Sequence, residues 1–311
     1  MRWAAIPLAV LCCSCGKYAA FTLPAPDTAG PRPPFHWEAS PDPVLSRGDW
    51  DSGDVLNPSV VKFRGEYWNL YSGYDGSTWS TGLATSADGI HWAKKGKILS
   101  PDAGNGSALV VGDKVYYWYQ AGAPVEIALA TSEDWKRTQV VLRTGPRGSW
   151  DERGVADPYV IERGGELYLY YLGMDRARRQ RLGVARSRDG VVWEKFVSNP
   201  ILELGDAGAF DEMGLGEPAV WTSGGSYWML YTGRARGEKR RIGLAKSADG
   251  VHWSREPLVI EGSESWDKEV VCDPTVELTR DGVRVWFGGG DVPRPDQGLH
   301  GQIGVGMLRS Q

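Results

Sequence analysis

The chain has 311 residues and a formal net charge of −4, and 41% of its residues are hydrophobic. This length is ample for one large core, and the slightly acidic balance without basic runs excludes an extended surface for nucleic acid. Of the four cysteines, only Cys272 lies beyond residue 15. No disulfide framework can therefore form in the body of the chain.

Residues 1–15 resemble the signal peptide of a bacterial lipoprotein. A basic start precedes an apolar run that is too short to span a bilayer, and the run leads into the cysteine cluster. Within that cluster only Cys15 follows a small residue, Ser14, as in a lipobox. We expect lipidation at Cys15, export, and a membrane contact through the lipid alone, on the periplasmic or cell-surface side of a bacterial membrane. An ordinary secretory signal peptide is the alternative.

Residues 16–49 are predicted to form a proline-rich tether and the entry segment of a domain. Five prolines between residues 17 and 34 oppose regular structure in that stretch. The remaining residues, 50–311, are predicted to form a single domain.

That domain contains five copies of one strand pattern. Each copy alternates aromatic or aliphatic residues with a period of two, as a half-buried strand does. The copies are EYWNLYSG from Glu66, KVYYWYQAG from Lys114, ELYLYYLG from Glu166, SYWMLYTG from Ser226 and RVWFGG from Arg284. A second strand follows each copy, and helical periodicity is nowhere sustained.

A turn of the form Ser-x-Asp-Gly-x-x-Trp closes three of these units, at 86–92, 187–193 and 247–253. Asp-Gly supplies the turn geometry, so this motif is interpreted as structural. Four short strands per unit and a period of about 50 residues predict an all-β fold, a five-bladed β-propeller of four-stranded antiparallel blades. A two-sheet sandwich does not explain the regular return of whole units.

A second repeated phrase precedes the aromatic strands and contains one variable polar position. The phrases are DWDSGDVLNPSVV, SWDERGVADPYVI, AFDEMGLGEPAVW and SWDKEVVCDPTVE, and the blade spacing adds a fifth position in unit two. The variable positions are Asn57, Asn105, Asp157, Glu217 and Asp273. A closed ring of blades brings equivalent positions toward one axis, so these five side chains are predicted to meet there.

A second acidic position in the same phrase stays Asp in four units, at Asp51, Asp151, Asp211 and Asp267. A position that never changes between blades is interpreted as architectural. The variable position breaks the symmetry of the ring, which favours function, although a turn-capping role is the alternative.

Three carboxyl groups near one axis interact electrostatically. Their mutual repulsion raises at least one pKa and so provides a proton donor near neutral pH. Hydrolysis of a glycosidic bond requires a carboxyl acid and a second carboxylate as base or nucleophile. The same oxygens, with the amide carbonyls of Asn57 and Asn105, could instead hold Ca²⁺. Hydrolysis requires no cofactor, and Ca²⁺ at the axis is a possible addition.

With these phrases in place, residues 50–311 resemble the five-bladed propeller glycosidases, especially glycoside hydrolase family 43 with its arabinanases and β-xylosidase-like enzymes. The matching phrases are LNPSVV at Asn57, ADPYVI at Asp157 and GEPAVW at Glu217. The resemblance implies a general base in the first blade, an orienting aspartate, and a glutamate acid one blade later. Glu217 is then the general acid, and Asp157 orients it and adjusts its pKa.

The first blade departs from this pattern, because Asn57 stands at the base position and an amide cannot deprotonate water. Asp54 and Asp273 are the candidate substitutes for the base, and Asn57 and Asn105 are assigned to substrate binding. His300 resembles a fifth-blade histidine that family 43 enzymes bring to the axis, often beside a metal. Asp273 and His300 are accordingly possible metal ligands, and His300 a possible substrate ligand.

The leading hypothesis is an exported glycoside hydrolase, monomeric, acting on poly- or oligosaccharide, with an inverting outcome implied by the resemblance. A first-blade Asn-Pro also resembles the mannoside phosphorylases of family 130, in which phosphate attacks the sugar. The arginines near the blade openings, Arg153, Arg234, Arg236 and Arg294, do not form a clear phosphate cluster in the sequence. A non-catalytic glycan-binding lipoprotein is the alternative from a different class.

Overall fold

The computed structural model describes residues 17–310, whose regular secondary structure is almost entirely β-strand. Two strands precede the repeats, β1 (Lys17–Ala19) and β2 (Phe35–Ala39). One short 3₁₀ helix, Arg236–Glu238, is the sole helix among the described residues. In this part of the chain, no helix has the length and apolar character needed to cross a membrane.

The strands after β2 follow one another as five antiparallel blades. Blade one contains β3 (Asp54–Phe63), β4 (Glu66–Tyr74), β5 (Trp79–Ser86) and β6 (Ala93–Leu99). Blade two contains β7 (Gly104–Val111), β8 (Lys114–Ala121), β9 (Glu126–Thr131) and β10 (Asp134–Leu142). Blade three contains β11 (Gly154–Arg163), β12 (Glu166–Met174), β13 (Gln180–Ser187) and β14 (Glu194–Phe196).

The last two blades share one continuous sheet. Blade four contains β15 (Gly214–Ser223), β16 (Ser226–Arg234), β17 (Arg240–Ser247) and β18 (Trp253–Ile260). Blade five contains β19 (Val270–Thr279), β20 (Gly282–Gly290) and β21 (Gln302–Ser310). A single parallel bridge between Arg240 and Val270 joins the two blades near the axis. The predicted all-β, five-bladed propeller is confirmed.

The outer strand of blade five comes from the N-terminal segment. Strand β2 pairs antiparallel with β21, from Phe35 opposite Ser310 to Ala39 opposite Gly306. Trp37 packs edge-on against Phe287 of β20, with ring centroids 5.7 Å apart. The ring is therefore closed by residues that precede the first blade in the chain.

The predicted tether over residues 16–49 is wrong for residues 17–49, which lie against the propeller. Strand β1 pairs in parallel with β14, and Phe21 and Leu23 are buried in a core shared with blades three and four. A proline removes only its own N–H from a ladder, so the apolar residues between the prolines can still be buried. The predicted signal peptide and lipidation site, with Cys15, lie outside the described residues.

The aspartate that recurs in the repeated phrase connects strands within its own blade. This agrees with the architectural role that was predicted for it. Asp51 is fully buried, accepts a hydrogen bond from the Tyr71 hydroxyl at 2.9 Å, and pairs with Lys94 at 2.6 Å. The equivalent triads are Asp151, Tyr171 and Lys195 in blade three and Asp211, Tyr231 and Arg255 in blade four. In blade five Phe287 replaces the tyrosine, and Asp267 accepts from the backbone N–H of Glu264. The architectural interpretation fits these contacts.

The Asp-Gly turns make contacts between neighbouring blades. The Gly89 carbonyl accepts a hydrogen bond from the Trp286 indole, the Gly190 carbonyl from Trp118, and the Gly250 carbonyl from Tyr170, all at 2.7–2.9 Å. Each turn thus fixes a large buried aromatic residue of an adjoining blade, which is consistent with a structural role.

Candidate active site

Each innermost strand bulges at its variable polar residue. All five of these residues have φ between +44° and +54°, a region that non-glycine residues seldom occupy. The antiparallel register shifts at the same point in every blade. A bulge redirects a side chain out of the regular alternation of its strand. The fold therefore repeats one local distortion five times, at Asn57, Asn105, Asp157, Glu217 and Asp273.

All five variable residues line one cavity at the axis, with a volume of about 660 Å³. This volume suits a small ligand such as one or more sugar rings. Trp79 is the single aromatic residue among those that line it, and apolar groups from blade three, Leu172 and Met174, contribute to the wall. The prediction that the five positions converge agrees with this geometry.

Asp273 and Glu217 lie close together at the base of the cavity. A carboxyl oxygen of each, together with the Cys272 sulfur, lies within 4.8 Å of the others. Asp273 Oδ2 accepts hydrogen bonds from the Asn57 backbone N–H at 3.1 Å and from the Cys272 thiol at 3.2 Å. Burial, and then the neighbouring Glu217 carboxylate, raise the pKa of Asp273 well above its usual value. Burial therefore favours the protonated form of Asp273.

Asp157 occupies the equivalent position in blade three and is also buried. Burial, followed by repulsion from Glu217, raises the pKa of Asp157 to about 7. The Asn105 side-chain amide donates to Asp157 Oδ1 at 3.1 Å and opposes that rise, because the bond favours the ionised form. Asp157 thus exchanges its proton near neutral pH, as the predicted orienting and pKa-adjusting residue must.

One carboxyl oxygen of Glu217 is left without a hydrogen bond within residues 17–310. Its Oε2 is buried and has no hydrogen-bond partner among the described residues, although the residue as a whole is partly exposed. A buried polar atom without a partner costs free energy. A glycosidic oxygen placed in the cavity would relieve that cost, which agrees with the assignment of Glu217 as the acid.

Asp54 does not fit the predicted role of base. It is fully buried, and its two oxygens accept hydrogen bonds from the backbone N–H groups of Gly298 and Gly301 at 2.6 and 2.8 Å. It is not among the residues that line the cavity. Asp54 instead holds the loop between β20 and β21 against blade one, a role that its position three residues before Asn57 did not reveal.

His300 does not reach the axis. It lies exposed in the β20–β21 loop, where its Nδ1 is 2.8 Å from Asp291 Oδ1, and it does not line the cavity. The predictions of His300 as a substrate or metal ligand are therefore not supported by its position. The cluster that could hold an ion is Glu217, Cys272 and Asp273. A thiol is a poor ligand for Ca²⁺, which requires six to eight oxygens, and the Ca²⁺ hypothesis stays a prediction.

Two arginines complete the wall, Arg234 at the end of β16 and Arg240 at the start of β17. Sequence reasoning placed Arg234 near a blade opening but missed Arg240. The pair flanks the loop between the second and third strands of blade four. Arg153, Arg236 and Arg294 are not among the residues that line the cavity.

A propeller with acidic side chains converging in an axial cavity is the architecture of the propeller glycosidases. Residues 53–271 match the family model described as the glycosyl hydrolases family 32 N-terminal domain. The chain belongs to this family, and the predicted class, a glycosidase of the five-bladed propeller superfamily, is confirmed.

Two uncharacterized proteins from strains of Mycobacterium tuberculosis, MT1551 and Rv1502, are each 31% identical over 157 residues, which cover 47% of this chain and 52% of each relative. The match thus spans about half the length of these curated relatives.

Solved structures with the same fold include a thermostable family-43 glycoside hydrolase, with a TM-score of 0.62 and 16% identity over 82% of this chain and 89% of that one. The β-1,2-mannobiose phosphorylase from Listeria innocua, solved with β-1,2-mannobiose, has a TM-score of 0.68 and 12% identity, over 89% and 97% of the two chains. At these identities the likeness concerns the fold alone.

Proposed function

We propose that the protein cleaves a glycosidic bond in the axial cavity, with Glu217 as the general acid. The observation that carries this proposal is the buried oxygen of Glu217 without a partner, set between two carboxyl groups whose pKa values are raised. Glu217 donates its proton to the leaving oxygen, and Asp157 and Asp273 lie beside it as further carboxyl groups.

The attacking group is the point at which hydrolysis and phosphorolysis differ. A water-activating base in an inverting glycosidase stands roughly 6.5–9.5 Å from the acid. Asp273 lies within 4.8 Å of Glu217, closer than this separation, and burial favours its protonated form, so it does not meet this requirement. Asp54 is occupied by backbone hydrogen bonds. Asp157, half-ionised near neutral pH, is the carboxyl at the axis that is left to assist water.

Phosphorolysis is the second candidate, and Asn57 favours it. A reaction in which inorganic phosphate attacks the sugar needs an acid from the protein but no base, so an amide in the first blade is then no defect. Arg234 and Arg240 on the cavity wall could accept the phosphate charge.

An activity screen separates these possibilities. Aryl arabinosides, xylosides, galactosides and mannosides are assayed with and without phosphate. The proteins are the wild type, Glu217→Gln and, as a control, Asp113→Asn at an exposed turn that does not line the cavity. We expect Glu217→Gln to lower turnover by about 10²- to 10⁴-fold and Asp113→Asn to leave it unchanged. Full turnover in Glu217→Gln overturns the acid assignment, and a wild type that binds glycans without turnover favours a binding protein.

We further propose that the protein is exported and lipidated at Cys15, and acts as a monomer on carbohydrate. The apolar run before the cysteine cluster supports this. Expression in a bacterium with radiolabelled palmitate should label the wild type and not Cys15→Ser. Label retained by Cys15→Ser would exclude that lipidation site.

A further inference from the structure

Arg240 projects from the start of β17 into the wall of the cavity that holds the three carboxyl groups. Its Nη2 group donates to the backbone carbonyls of Arg294 and Pro295 in the β20–β21 loop, the first at 3.1 Å. Carbonyl oxygens orient a guanidinium but do not neutralise it. The remaining N–H groups of Arg240 have no partner within residues 17–310.

The charge of Arg240 also lacks a direct counter-ion. Among the described residues no carboxylate forms an ion pair with it, whereas Arg234 pairs with Glu238 at 3.3 Å and Arg241 pairs with Glu261 at 3.1 Å. A guanidinium removed from bulk water is unfavourable unless a negative partner compensates it. A negative group bound in the cavity would provide that partner.

The acidic residues of the cavity compensate this charge only in part, because Glu217 and Asp273 lie near enough to favour the charged form of Arg240 but neither forms an ion pair with it. Asp157 and Asp273 carry reduced negative charge near neutral pH, because burial raises the pKa of each. The two further acidic residues on the wall, Asp102 and Asp296, are exposed to solvent, which screens them. Arg240 therefore lines the cavity with N–H groups that have no hydrogen-bond partner among the described residues.

Arg234 supplies a second cation on the same wall. Its Nη2 donates to Gln180 Oε1 at 2.9 Å, which fixes the direction of the guanidinium. A glycine at position 214 leaves room for this pair, since a Cβ there would lie 2.9 Å from Gln180 Oε1 and 3.4 Å from an Arg234 nitrogen. The two arginines are therefore held in place before any ligand arrives.

We propose that Arg240, assisted by Arg234, binds an oxyanion carried by the substrate, and that the substrate is an anionic glycan. The group is a carboxylate, sulfate or phosphate ester on a sugar next to the scissile bond, since planar guanidinium donors match such oxygens. This inference rests on the proposed function for its substrate but concerns binding. It can be tested where no turnover occurs.

The experiment measures binding by isothermal titration calorimetry in the Glu217→Gln protein. The probes are glucuronic and galacturonic acid oligosaccharides, their neutral glucose and galactose counterparts, a sulfated galactan oligosaccharide, and inorganic phosphate. We expect at least one anionic oligosaccharide to bind more tightly than its neutral counterpart, with affinity falling as salt rises. Adding Arg240→Gln should weaken that binding by about 10- to 100-fold and leave neutral sugars unaffected.

Two variants keep the test interpretable. Arg153→Gln removes an exposed arginine that does not line the cavity and should bind as the parent does. Arg240→Lys keeps the charge without the planar fork and should give an intermediate affinity if Arg240→Gln proves unstable.

Equal affinity for charged and neutral oligosaccharides, or an anionic preference that survives Arg240→Gln, overturns the proposal. Tight binding of inorganic phosphate that depends on Arg240, with no preference among the oligosaccharides, also overturns it and assigns the site to free phosphate. A preference for anionic glycans in a protein without turnover would leave the subsite intact and reject only the catalytic function.

Discussion

The backbone N–H of Asn57 donates to Asp273 Oδ2 at 3.1 Å and so joins the first blade to the fifth at the axis. The same carboxyl group is within 4.8 Å of Glu217 in the fourth blade. The backbone of the first-blade position thus orients an acidic residue of the last blade, whatever its own side chain does. This contact explains how the variable position of the first blade can carry an amide, Asn57, and still contribute to the carboxyl cluster.

Asp157 should make the stability of the protein depend on pH. The folded pKa of Asp157 is raised from 3.8 to about 7, so the folded state binds more protons than the unfolded state between these values. The free energy of unfolding must then fall as pH rises through this window, by roughly 4 kcal/mol at the most. Asp157→Asn should flatten the decline, and urea unfolding at about pH 5 and about pH 7.5 measures it.

Asp273 contributes a decline of the same sign, because its pKa is raised too, so the slope in Asp157→Asn should be reduced without being abolished. Asp113→Asn, at an exposed turn, is the control and should unfold with the wild-type pH dependence. A wild type whose stability rises from about pH 5 to about pH 7.5 would contradict the buried, protonated state of Asp157.

Asp54→Asn and Glu217→Gln should have opposite effects. Asp54 accepts two backbone hydrogen bonds while fully buried, and an amide can accept only one of them. The substitution should therefore cost about 1–3 kcal/mol of stability while most turnover is retained. Glu217→Gln should lose turnover and keep its stability. Thermal melting and glycoside turnover of both variants provide the measurement, and loss of turnover without loss of stability in Asp54→Asn would return that residue to the candidate bases.

The blades could be predicted from sequence because the same strand pattern occurs once in every blade. Strands β4 and β12 are buried along almost their whole length, and one pattern of aromatic and aliphatic residues recurs at 66–74 and 166–174. The N-terminal segment has no such copy elsewhere. Phe21 and Phe35 are isolated apolar residues among prolines, and only the tertiary fold shows that one fills a core and the other begins the strand that closes the ring.

The residues of the site could be predicted where they belong to the repeated phrase, and could not be predicted where they lie outside it. The five bulged positions are equivalent in the repeat and lie at equivalent points of the five innermost strands. Residues that align in the sequence therefore lie close together at the axis. Asp54 and His300 depend on the course of one irregular loop, residues 291–301, which no periodicity describes. Arg240 escaped notice because it opens a strand next to a second arginine, Arg241, which pairs with Glu261 on the outside of the blade. Arg240 and Arg241 are consecutive residues of one strand, and their side chains point to opposite faces of it.

Lys195 should be indispensable to blade three. Its ammonium group is 2.5 Å from Asp151, with both side chains almost completely buried. Removing the cation leaves the buried Asp151 carboxylate without an ion-pair partner, which costs about 3–5 kcal/mol in buried pairs. We expect Lys195→Met to lower the free energy of unfolding by that amount in urea titrations. Arg188→Met breaks an exposed pair with Glu166 and should change it by less than about 1 kcal/mol. Similar losses in both variants would contradict the buried pairing.

Phe21 should stabilise the propeller, although a tether residue would not. Its ring lies 5.2 Å from that of Phe196 and 6.1 Å from that of Tyr168, and the side chain is 9% exposed. Phe21→Ala should therefore cost about 3–5 kcal/mol in chemical unfolding. Val197→Ala is the matched control, because Val197 follows Phe196 in the chain yet is 59% exposed, and it should change stability by less than about 0.5 kcal/mol. If both variants unfold as the wild type does, the segment before β2 is a free tether in solution. A loss confined to Phe21→Ala means instead that this segment is packed against blade three.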